Sequence, residues 1–65
     1  MIEQDAILKL IQQNGYATEK YIRGQYTEDQ QELLDVALTY LMEKNTIRKI
    51  QYQAPSGEEA LFYVL

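Results

Sequence analysis

The sequence predicts a small α+β domain, with three helices, a C-terminal β-hairpin and a short first strand between the first two helices. Three observations lead there. Apolar residues recur at helical spacing over residues 3–14 and again over 27–45. After Asn45 the period changes, and Ile47 to Gln53 carries β-branched and aromatic residues with Ile50 and Tyr52 on one side. Pro55-Ser56-Gly57 then marks a turn before the apolar run Leu61-Phe62-Tyr63-Val64-Leu65.

The first helix is expected over Glu3 to Asn14. Ala6, Ile7, Leu10 and Ile11 make its apolar face, and Glu3 and Asp5 suit the positive end of its dipole. Asn14-Gly15 stops it, because glycine tolerates the left-handed conformation that follows a helix. Tyr16-Ala17 is too short to stand alone as a strand, but it can pair with a later one. Thr18 caps a second helix over Glu19 to Gly24, which buries Tyr21 or Ile22. Thr27 caps the third helix, with Gln30 completing a capping-box pattern, and that helix is expected to reach Asn45.

On the third helix, Leu33, Leu34, Val36, Ala37, Leu38, Tyr40 and Leu41 fall in an arc of about 200°, wide enough to imply contact with both other helices and the sheet. The final run is apolar on both faces, which suits a strand flanked on both edges, with Tyr16-Ala17 as its second neighbour. If Leu61, Tyr63 and Leu65 face the core, Phe62 and Val64 face away and become candidates for a dimer contact. The chain has six tyrosines and one phenylalanine, and core filling with hydroxyls reaching water is the expected role for them.

The chain has 65 residues, which fits one domain over 1–65. A domain this small buries only about 60% of the surface its unfolded chain exposes, so its stability is marginal. It has no cysteine for a disulfide or thiolate site, and no histidine for a general base or a metal ligand. Its serine, Ser56, lies in a turn without a base nearby, and no glycine-rich phosphate loop appears. Glu28, Glu32 and Asp35 lie close enough to approach a cation, but no histidine or carbonyl loop completes the coordination. No enzyme activity, metal or cofactor is expected. No apolar run approaches the roughly 20 residues that cross a membrane. The opening MIEQDAILKL is acidic where a signal peptide is basic, and a cytoplasmic protein without membrane contact is the expectation.

The spacing "LLDVALTYLMEKNTIRKI", followed by a hairpin ending in "LFYVL", resembles the winged-helix (winged helix-turn-helix) superfamily. The resemblance spans the whole chain and implies a small winged-helix domain whose third helix leads directly into the wing. It also implies a helix-turn-helix core that often sits on DNA, in a superfamily with many members that bind only proteins.

Charge decides between those two uses. The net charge is −4, and the imbalance lies in one segment. Residues 27–45 hold Glu28, Asp29, Glu32, Asp35 and Glu43 against Lys44, whereas acids and bases cancel on either side. The outward side of the third helix, which would enter the major groove, presents Glu28, Glu32, Asp35, Thr39 and Glu43. DNA affinity rests on lysine and arginine at phosphates, so this stripe has the wrong sign. The first expectation is therefore a non-enzymatic adaptor or regulator that binds a protein partner with a basic surface through Glu28, Glu32, Asp35 and Glu43. The alternative is a dimeric DNA-binding transcriptional regulator that uses Lys20, Arg23, Arg48 and Lys49. A homodimer through Phe62 and Val64 is compatible with both.

Overall fold

The computed structural model of the chain describes residues 2–65. It is an α+β domain consistent with a small winged-helix-like fold. In chain order it contains α1 (Gln4–Gln12), β1 (Tyr16–Thr18), α2 (Glu19–Gly24), a 3-10 turn (Glu28–Gln30) running into α3 (Gln31–Glu43), β2 (Arg48–Gln53) and β3 (Glu59–Val64). The strands form one antiparallel sheet in the order β1-β3-β2. The last strand to emerge is therefore the central one, which explains why it is apolar on both faces.

Local chemistry sets the boundaries. Gly15 adopts φ +79° directly after α1, a conformation that glycine takes without steric cost. The Thr18 hydroxyl accepts from the Tyr21 N–H at 3.0 Å and starts α2. Thr27 and Gln30 form the expected capping pair, with the Gln30 side-chain oxygen accepting from the Thr27 N–H at 3.0 Å. α3 stops at Glu43, two residues short of expectation, because Asn45 turns left-handed at φ +60°. The Thr46 N–H then donates to the Leu41 carbonyl at 2.9 Å, and the Asn45 N–H to that of Met42 at 3.0 Å. This is a Schellman cap with asparagine in the usual glycine position.

Ile7, Ile11, Ala17, Ile22, Leu34, Ala37, Leu38, Leu41, Ile47 and Tyr63 form one buried cluster that joins the helices to one face of the sheet. Several expectations need correction. α3 buries only Leu34, Ala37, Leu38 and Leu41, an arc of about 100° rather than 200°. Leu33, Val36 and Tyr40 are exposed, on the flank of α3 turned away from the buried cluster. Ala6 is exposed, and so is Leu65, which lies beyond the last paired position of β3. Ile22, not Tyr21, is the buried residue of α2. Of the six tyrosines, Tyr63 is buried in the core, while Tyr16, Tyr21, Tyr40 and Tyr52 stand largely in solvent.

Candidate functional site

The outward surface of α3 follows from its packing. With Leu34, Ala37, Leu38 and Leu41 committed to the core, the 3.6-residue period turns Leu33, Val36 and Tyr40 into an apolar row on the solvent side. Val36 is 68% exposed, the most exposed member of the row. Asp35, Val36, Thr39, Tyr40 and Glu43 line a shallow open depression there. Glu28, Glu32 and Glu43 are exposed, and among the described residues none of the three is in an ion pair. The surface thus combines an apolar row with free carboxylates. Lys44 lies over the Tyr40 ring at 4.9 Å, at the C-terminal end of the row.

Asp35 has a different role from the other acids. It accepts from the Arg23 guanidinium, across the turn between α2 and α3. Arg23 also donates to Glu19 from Nε at 3.3 Å and from Nη2 at 3.1 Å, and to the Gln31 side-chain oxygen at 3.0 Å. Asp35 first, and then Glu19, hold the guanidinium pKa above its ordinary value, with burial opposing them. The Gln31 amide nitrogen reaches back to the carbonyls of Arg23, Tyr26 and Thr27 at 3.2, 3.3 and 3.2 Å, which ties the turn to the start of α3.

Glu19 gathers further groups. Lys49 approaches it at 3.7 Å, and the Tyr63 hydroxyl makes a long contact at 3.5 Å. Lys49 also lies over the Tyr63 ring at 5.8 Å. Burial pushes the Tyr63 phenol up to about 12, with the Glu19 carboxylate adding to the shift and Arg23 opposing it.

The four bases considered for nucleic acid do not share one surface. Arg23 and Lys49 converge on Glu19. Arg48 points to the other side of the sheet from Lys49, because neighbouring strand residues alternate. Lys20 sits exposed at the start of α2, beside a depression also lined by Glu19 and Glu59.

Phe62 and Val64 do lie together, on the sheet face away from the helices. Residues opposite each other in an antiparallel ladder point to the same side, and the register places Ile50 beside Phe62 and Tyr16 beside Val64. Tyr16, Ile50, Phe62 and Val64 line one shallow apolar depression.

Sequence reasoning missed the Glu19–Arg23–Asp35 network. Its one readable signal was the i,i+4 spacing of Glu19 and Arg23 within a helix. It also missed the apolar row, because a helical wheel ranks Leu33, Val36 and Tyr40 with the core. Among the described residues, no helix is long and apolar enough to cross a membrane, and no three potential ligands converge on a metal position. No family model, curated protein or solved structure matches the chain.

Proposed function

We propose that this chain is a non-enzymatic adaptor or regulator of the winged-helix type, working in the cytoplasm, that binds another protein through the outward face of α3. The observation that carries the reading is the exposed row Leu33, Val36 and Tyr40, set beside the free carboxylates of Glu28, Glu32 and Glu43. An apolar strip with a charged border is the usual composition of a protein-docking surface: the apolar part supplies affinity, and the charges set partner choice and approach. The complementary partner has a basic rim.

The alternative, a dimeric DNA-binding regulator, has less support. Arg23 and Lys49 are held by carboxylates of the same domain, and Arg48 is on the other side of the sheet. A phosphate backbone would have to displace those carboxylates first, and it would then face the acids of α3.

The test uses the immobilised chain and a nuclease-treated native extract. A protein captured by wild type, and lost with both Val36→Arg and the Glu32→Gln/Glu43→Gln pair, supports the reading. Capture that survives both variants, or that is seen only when the nuclease is left out, contradicts it.

A further inference from the structure

The sheet face opposite the helices carries Tyr16, Ile50, Tyr52, Phe62 and Val64. The aromatic members touch. Phe62 meets Tyr16 edge to face at 5.8 Å between centroids, and Tyr52 at 6.4 Å with tilted planes. An antiparallel sheet with one solvated face normally alternates apolar and polar residues along its strands. β3 breaks that rule, because Ala60, Phe62 and Val64 all point outward. We propose that a second copy of this chain covers the face, with the two sheets packing against each other.

Two features identify the occupant as a second copy. The first is charge. Within the paired strands this face carries no acidic residue: Glu59 pairs with Gln53 on the inner side, and Glu58 lies just past the last paired position, at the hairpin turn. Two chains of net charge −4 can therefore meet over the paired strands without setting one strand carboxylate against another. The second is self-complementarity. Arg48, the charged residue of this face, lies at one corner, beside Val64 on the central strand. Tyr16 lies on the other side of Val64, and Tyr52 lies at the opposite end of β2. A two-fold axis along the strands brings Arg48 of one copy over Tyr16 of the other. An axis across the strands brings it over Tyr52. In both cases the guanidinium meets an aromatic ring rather than a second guanidinium.

Area sets the strength. Two strands of six residues and one of three, about 4.8 Å apart and rising about 3.3 Å per residue, give a face of roughly 240 Å². Stable specific interfaces bury about 800 Å² per partner. The dimer is accordingly weak and forms only at high protein concentration. Its geometry leaves the outward side of α3 free on each copy. On the reading of α3 given above, self-association makes the adaptor bivalent.

Sedimentation equilibrium from about 10 µM to about 1 mM tests the proposal. The expected result is an average mass that rises from 7.6 kDa toward twice that value across the range. Over the same range, amide shifts should change at Tyr16, Ile50, Phe62 and Val64 and stay constant along α3. The variant Tyr16→Thr/Ile50→Thr/Tyr52→Thr, which places strand-favouring β-branched side chains at all three positions, should remain monomeric with a dispersed amide spectrum. Ile50→Lys alone, on the exposed edge strand, should weaken association at least tenfold and serves if the triple variant does not fold. A wild type that stays at 7.6 kDa at the top of the range overturns the proposal, as does association that Ile50→Lys leaves intact, or shift changes centred on α3. Neither set of variants touches α3, so a failure here is separable from a failure of α3 docking.

Discussion

The guanidinium of Arg23 on α2 is bound by the carboxylate of Asp35 on α3. Glu19 is a second acceptor and Gln31 a third. The arrangement makes Arg23 a brace between two helices.

The brace is expected to be modest in energy. Arg23 is half-buried and Asp35 is exposed, so Asp35→Asn should cost no more than about 1 kcal/mol. Gln31→Ala should cost about 1 kcal/mol, because it releases the Arg23, Tyr26 and Thr27 carbonyls to water and removes the acceptor for Arg23. Urea unfolding midpoints of the two variants measure both effects. A loss of several kcal/mol in Asp35→Asn would show that the pair is more desolvated than its exposure indicates.

The Schellman cap gives a cleaner backbone prediction. Asn45 holds φ +60°, so Asn45→Gly should keep or slightly raise stability, while Asn45→Val should lower it by about 1–2 kcal/mol. Thermal unfolding of the three proteins settles the order. If valine proves as stable as asparagine, the left-handed cap is wrong.

Much of this fold was legible because local signals and the global pattern agree. The caps at Thr18 and Thr27, the stop at Gly15 and the turn at Pro55-Ser56-Gly57 are short-range chemistry, and each falls where the sequence puts it. The central position of β3 was legible from its two apolar faces. What failed was the assignment of apolar residues to sides. Periodicity reports that Val36 and Leu41 are apolar, but burial depends on what stands opposite, and Leu41 meets the buried cluster whereas Val36 meets solvent. The Glu19 network failed for a related reason, since Tyr63 is 44 residues away in sequence and reaches it only through the sheet.

That distinction is measurable by cavity formation. Leu41 is 3% exposed, and Leu41→Ala should cost about 2–5 kcal/mol, enough to unfold a domain this small. Val36→Ala, drawn from the same apolar set but 68% exposed, should change stability by no more than about 0.5 kcal/mol. Urea titrations that rank the two in the opposite order would overturn the core described above.

Tyr63 ties stability to alkaline pH. Its folded pKa, about 12, lies above the unfolded value near 10. The neutral phenol is therefore favoured by folding. Its contribution is fully present below pH 10 and is lost as pH rises toward 12. The urea midpoint should fall across that window, and the fall should be smaller in Tyr63→Phe. Ultraviolet titration of the native protein should show a late tyrosinate step near pH 12 that is absent from the variant. An unchanged late step would assign it to another tyrosine.

The most direct test of the central claim, that α3 presents a protein-docking face rather than a base-reading one, is a titration with random duplex DNA at low and at moderate salt. It compares wild type with the variant Glu28→Gln/Glu32→Gln/Glu43→Gln. The account predicts feeble wild-type binding at moderate salt and somewhat stronger binding by the variant, because removing exposed carboxylates relieves phosphate repulsion. Tight wild-type binding that the three glutamines abolish would contradict it, because the carboxylates of α3 would then be reading bases.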